Sequence, residues 1–153
     1  MPRPEYDTSR FIHEGSETPL FTSYKTALKR FETLSERFRV SQSDEDARLF
    51  WNQHDQLNSL LEMGGKFPLG ERYVTAAARQ ALEEQSHQPV EFLLRHRNGD
   101  WGELNEQTAR ANENALVYGG RLISRYSLRT EGKIWALTEA DKASTTLLLP
   151  KDW

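Results

Sequence analysis

The stretch Gly119-Gly120-Arg121-Leu122-Ile123-Ser124-Arg125-Tyr126-Ser127-Leu128-Arg129-Thr130-Glu131-Gly132-Lys133-Ile134-Trp135-Ala136-Leu137-Thr138 decides the fold of this chain. Before the paired glycines, apolar residues recur every three to four positions; after them the period drops to two. Leu122, Ser124, Tyr126 and Leu128 fall on one side of an extended ribbon, and Arg121, Ile123, Arg125, Ser127 and Arg129 on the other. Thr130-Glu131-Gly132 reads as a turn, and Lys133 to Thr138 as a second strand that carries Trp135. The polar break Glu139 to Ala143 leads to a third strand, Ser144 to Leu149, closed by Pro150. Three sequential strands with short links predict an antiparallel meander, one face of which the preceding helices must cover. The fold class is α+β.

Outward from the glycines, a helix is expected from near Asn105 to Tyr118, with a thin apolar face of Ala109, Asn112, Ala115 and Leu116. Pro89 suits the first turn of a short helix over Val90 to Arg97, which buries Phe92 and Leu93 and ends at Gly99. Small residues (Ala76, Ala77, Ala78, Ala81) mark another helix from about Thr75 to Gln85. Pro68 and Gly70 within Lys66 to Arg72 make that segment the best boundary in the chain. Further back lie two amphipathic stretches. Ala27, Leu28, Phe31, Leu34 and Phe38 line one helix, with Thr22 or Ser23 as its cap. Ala47, Phe50, Trp51, His54, Leu57 and Leu61 line a second, which opens on the acidic turn Asp44-Glu45-Asp46 and stops at Gly64-Gly65. The organisation expected is a flexible arm over residues 1–20, a helical hairpin over 21–65 and a compact α+β domain over 66–153.

Composition narrows the class. A chain of 153 residues suits one domain with a helical extension. No apolar run approaches the roughly 20 residues that cross a bilayer, and Met1 to Asp7 lack the apolar core of a secretion signal, so a cytoplasmic protein without membrane contact is expected. The absence of cysteine removes disulfides, thiol nucleophiles and cysteine-bound zinc. A formal charge of -3 argues against a general polyanion binder, though not against a local basic patch. No P-loop, dinucleotide glycine fingerprint, nucleophile elbow or zinc spacing is present, so no cofactor is expected.

A set of short motifs does stand out in the second half. It comprises Glu91-Phe92-Leu93, Arg95-His96, Gly99-Asp100-Trp101-Gly102, Asn112, Gly119-Gly120-Arg121, Ser124, Tyr126, Trp135, Thr138-Glu139-Ala140-Asp141 and Thr145-Thr146-Leu148-Leu149-Pro150. From about Thr75 onward the chain resembles a family of short uncharacterised bacterial proteins carried by plasmids, phages and integrated elements, some labelled type I restriction endonuclease subunits. The resemblance covers roughly half the chain. Lys142 stands where the pattern leads one to expect arginine, and the hairpin before residue 66 lies outside it. It implies a mobile-element setting and no particular reaction.

Three constellations are candidates for chemistry. His96, between Arg95 and Arg97, has the neutral form a general base needs, and Asp100 a turn later is placed to orient it; the simpler reading is a packing histidine beside a turn whose Trp101 is buried. Glu139 and Asp141 pair two acids at one end of the sheet, yet two ligands without a His-x-x-x-His or Asp-x-Asp spacing do not make a metal site. Pairing with Arg121, Arg125 or Lys142 is the simpler role. The stripe Arg121, Arg125 and Arg129, joined by Lys133, is the most suggestive feature: facing phosphate, with Trp101, Tyr126 or Trp135 to stack bases, it would hold nucleic acid. Ile123 on the same face and the acids Glu131, Glu139 and Asp141 favour an internally paired surface instead.

The leading expectation is a non-enzymatic protein-interaction module of a mobile element, bound to a host or element-encoded protein of a defence or DNA-processing complex. The N-terminal helices offer a route to a homodimer. The alternative is a small metal-independent ribonuclease of barnase-like or RelE-like layout, which needs His96, Glu139 or Asp141 and an arginine such as Arg125 to converge. A DNA-binding regulator is the third reading, and it predicts affinity that falls steeply with salt.

Overall fold

The computed structural model of the chain describes residues 20–153, with side chains from residue 24 onward. The arm expected over residues 1–20 lies outside them except for Leu20, which already belongs to a helix. The described residues divide into two compact units, residues 20–63 and 64–153.

In the first unit, α1 (Leu20–Ser41) and α2 (Asp44–Glu62) pair along their length. Because α1 begins at Leu20, Thr22 and Ser23 lie inside the helix rather than at its cap. Phe31 and Phe50 meet at 4.8 Å between ring centroids and Phe38 joins Phe50 at 5.5 Å, which is the aromatic core expected from their spacing. The turn is fixed by polar groups: Ser43 Oγ accepts from Asp46 N, and the Asp46 carboxylate takes Ser41 Oγ and Arg37 Nε. Three acids in the first turn of α2 oppose its positive end.

The second unit holds β1 (Glu71–Val74), α3 (Ala76–Glu84), α4 (Pro89–Arg97), α5 (Glu106–Tyr118), β2 (Leu122–Ser127), β3 (Lys133–Thr138), β4 (Ser144–Leu148) and a 3₁₀ turn, Pro150–Asp152. The expected meander β2-β3-β4 is present, but the sheet has four strands in the order β1-β4-β3-β2 and is mixed, because β1 runs parallel to β4. Glu71 N donates to Ala143 O and Thr75 N to Leu147 O, so the connecting segment of the sequence reading enters the sheet; Phe67 and Leu69 are buried beside it. Gly70 makes the close approach feasible. Its φ is 65°, and a Cβ there would collide with the Ala143 carbonyl.

Register separates the two faces. Leu122, Ser124 and Tyr126 stand opposite Thr138, Ala136 and Ile134, and Thr138 and Ala136 stand opposite Thr145 and Leu147; all eight are buried. The helices cover this face through Ala78 and Leu82 of α3 and through Val90, Phe92, Leu93, Leu94 and His96 of α4. Each Leu, Val or Phe fully withdrawn from water there contributes about 1.5–3 kcal/mol. The other face carries Ile123, Arg125, Trp135, Leu137, Thr146, Leu148 and Tyr73.

The free edge of β2 is closed by side chain and loop. Asn112 of α5 donates to Ile123 O at 2.7 Å and accepts from Ile123 N at 3.1 Å, doing for the strand what a neighbouring peptide would. Two residues on, Arg125 N donates to Trp101 O and Arg125 O accepts from Glu103 N. Gly102 sits between, where a Cβ would strike the Arg125 carbonyl and the Tyr126 ring. The thin apolar face of α5 is thereby explained: the helix docks on a strand edge through an amide, and an edge so occupied cannot recruit another strand. Among the described residues no helix is long and apolar enough to cross a membrane.

Candidate functional site

His96 is fully enclosed at the centre of the helix-covered face. It reaches Ser124 with Nδ1 at 2.5 Å and Thr138 with Nε2 at 2.9 Å; Thr138 Oγ1 reaches Thr145 Oγ1 at 2.7 Å, and Thr145 donates to Leu69 O at 2.7 Å. The direction of every proton follows from the last bond. A carbonyl only accepts, so Thr145 spends its hydrogen on Leu69 and must accept from Thr138, which in turn accepts from His96 Nε2–H. Burial pushes the imidazole down to about 3, so it is neutral, and its bare Nδ1 accepts from Ser124. One directed chain thus ties α4, β2, β3, β4 and the segment before β1 together.

The connectivity is that of hydroxyl, base and orienting group, the order a nucleophilic enzyme uses. Access is lacking. Ser124, His96, Thr138 and Thr145 are all sealed, with Phe67 and Trp101 packed against the imidazole at 5.1 Å and 5.8 Å. Asp100 does not orient His96; its carboxylate takes Arg95 Nε at 2.7 Å and Gly102 N at 3.1 Å, in keeping with a turn-fixing aspartate. Arg95 also lies over the Tyr126 ring, whose hydroxyl donates to Asp100 O. Trp101 is buried, with Nε1 donating to Glu113, and so is withdrawn from any stacking surface.

The arginine stripe resolves into separate attachments. Strand β2 ends at Ser127, which leaves Arg121 and Arg129 beyond its two ends. Arg121 pairs with Glu139 at 3.3 Å. Arg125 sends Nε and Nη2 to Glu103 O, and Arg129 sends Nη1 to Gln85 O and Ser86 O. Lys133 binds the Glu103 carboxylate at 2.6 Å, where Ser127 Oγ also donates; the Lys133 and Ser127 bonds hold the Glu103 carboxyl below its usual range. Asp141 accepts from Ala143 N, and Lys142 donates to Gly120 O and Ala140 O. Each cation of the stripe therefore has an acceptor within its own chain.

His96 and Arg125 stand on opposite faces, since Ser124 and Arg125 are consecutive in one strand. Glu139 and Asp141 are in the turn beyond β3, engaged with Arg121 and a backbone amide. The structure does not bring His96, these acids and an arginine together. Among the described residues no three His, Asp or Glu side chains gather as metal ligands. What sequence reasoning missed is Ser124 and Thr138 as partners of His96, Thr145 as the next link, and Glu103 as the centre of the charged cluster; a small hydroxyl residue on the inward face of each of three successive strands carried the only signal for the first group.

The face opposite the helices is left with its aromatic residues. Tyr73 on β1 and Trp153 after the 3₁₀ turn are 56% and 58% exposed. Trp153 lies 5.5 Å from Trp135, whose indole N–H is enclosed without an acceptor, an arrangement that costs on the order of 1–3 kcal/mol. Comparison of the chain with protein-family models, with curated proteins and with solved structures returned no match.

Proposed function

We propose that this chain is a non-enzymatic interaction module that binds a protein partner through the face of the sheet opposite its helices. The observation that carries the reading is the state of the polar groups: His96 is sealed and neutral, and Arg121, Arg125, Arg129 and Lys133 are each engaged within the chain. What that face offers instead is Tyr73 and Trp153, large rings with a polar tip of the kind that interfaces favour. The resemblance of residues from about 75 to 153 to proteins of mobile elements supports a host or element-encoded partner, in a defence or DNA-processing setting.

The test is affinity capture from the native host with the full chain as bait, run beside the double variant Tyr73→Ser, Trp153→Ser. A specific protein retained by the wild type and lost from the double variant, with melting unchanged, is the expected result. Equal retention by both sinks the proposed face, and turnover of RNA by the wild-type chain sinks the non-enzymatic reading.

A further inference from the structure

The loop between α3 and α4 grips the turn between β2 and β3 with six hydrogen bonds. Gln85 supplies three of them: Oε1 accepts from Thr130 N at 2.7 Å and Glu131 N at 3.3 Å, and Nε2 donates to Glu131 O at 2.9 Å. Arg129 Nη1 supplies two, to Gln85 O and Ser86 O. The sixth differs in kind, because its acceptor is a ring nitrogen: Arg129 N donates to His87 Nε2 at 3.0 Å. An imidazole nitrogen accepts only when it carries no proton, so His87 is held as the tautomer with hydrogen on Nδ1, which faces Glu91 Oε1 at 3.3 Å. Glu91 is itself fixed, its other oxygen accepting from Gln88 N at 2.6 Å.

We propose that His87 is a proton-operated latch on the β2–β3 turn. Neutral, it clasps the Arg129 amide and holds residues 128–132 against the α3–α4 loop. A second proton converts Nε2 from acceptor to donor, so that two N–H groups face each other and the clasp opens. The charged groups on the elements around it are Glu91 on α4, Arg129 and Glu131 on the turn, and Glu83 and Glu84 at the end of α3. The Phe92 ring lies 5.1 Å from the imidazole. Protonation of Nε2 and the Arg129 amide bond exclude each other on grounds of geometry.

The experiment is one pH series on the isotope-labelled full chain, from pH 8 to pH 5, the range in which imidazoles ordinarily change charge. It follows the His87 ring resonances together with hydrogen exchange at Arg129, and uses the Ala136 amide of β3 as reference for the intrinsic pH dependence of exchange. Relative to Ala136, the Arg129 amide loses roughly tenfold in protection in step with His87 protonation, the scale of one lost hydrogen bond. His87→Gln keeps a carbonyl acceptor that cannot titrate and so retains protection without a pH step. His87→Phe loses protection at every pH. Protection that stays level through the His87 transition, a His87 ring that stays neutral throughout the series, or a pH step that survives in His87→Gln overturns the proposal.

Discussion

Two polar assemblies occupy opposite faces of the same sheet and teach opposite lessons about what a hydrogen bond contributes. On the helix-covered face Ser124, His96, Thr138 and Thr145 form a neutral chain out of reach of water. On the other, Ser127 and Lys133 converge on Glu103 at distances just as short, with roughly half of the Lys133 and Glu103 side-chain surfaces open to solvent. Contact geometry does not separate them; the cost of losing a partner does. A group stranded in the first assembly has no water to turn to, whereas any group in the second is rehydrated at once.

The largest effect that follows is on His96→Leu. Leucine fills most of the ring's volume but leaves the Ser124 hydroxyl without an acceptor and Thr138 without a donor, two orphaned groups at 1–3 kcal/mol each. A loss of about 4 kcal/mol in urea unfolding is expected; a loss below 1 kcal/mol would break the comparison at its strong end. Next comes acid. An unfolded chain binds a proton on this histidine near 6.5, whereas the folded one keeps it neutral to about 3. Below pH 6.5 the unfolded state therefore holds the extra proton, and stability falls by about 1.4 kcal/mol per pH unit, about 3 kcal/mol by pH 4.5. Urea midpoints at pH 7, 5.5 and 4.5 measure the slope. It should flatten in a folded His96→Leu chain, and an identical slope in both would assign the acid sensitivity elsewhere.

The same contrast explains what could be read from the sequence. Local signals were legible: the acidic turn Asp44-Glu45-Asp46 at the start of α2, Pro89 at the start of α4 and the switch of period after Gly119-Gly120 all mark elements that form where expected. Strand β1 was missed because Glu71-Arg72-Tyr73-Val74 is short and largely exposed, and the carbonyls that recruit it, Ala143 O and Leu147 O, lie at and just before β4, about seventy residues on. The site failed for the same reason. Asp100 is the sequence-near partner for His96, but the real ones lie 28 and 42 residues away, on strands whose register alone aims Ser124 and Thr138 at the ring. Alternation predicted that the arginines of the stripe share one face; it did not show that β2 stops at Ser127, which leaves only Arg125 within the strand, or that a backbone carbonyl, Glu103 O, would take Arg125.

Lys133→Ala gives the smallest effect and the sharpest test of the weak end. The ammonium is the first cause of the lowered Glu103 carboxyl, so removing it moves that carboxyl back up toward the ordinary glutamate range, a shift readable from the side-chain carbon resonance as pH is varied. Ser127 remains as donor, so the return is partial. Stability should barely respond, because Glu103 exchanges one partner for water and Lys133 regains the rotamer freedom it gave up to hold the pair. A carboxyl that titrates differently in a chain that melts at the same temperature shows that a strong electrostatic perturbation and a stabilising interaction are separate things on the wet face. If Lys133→Ala instead lowers the unfolding midpoint as far as His96→Leu does, water is not the substitute partner supposed here, and the two faces obey one rule.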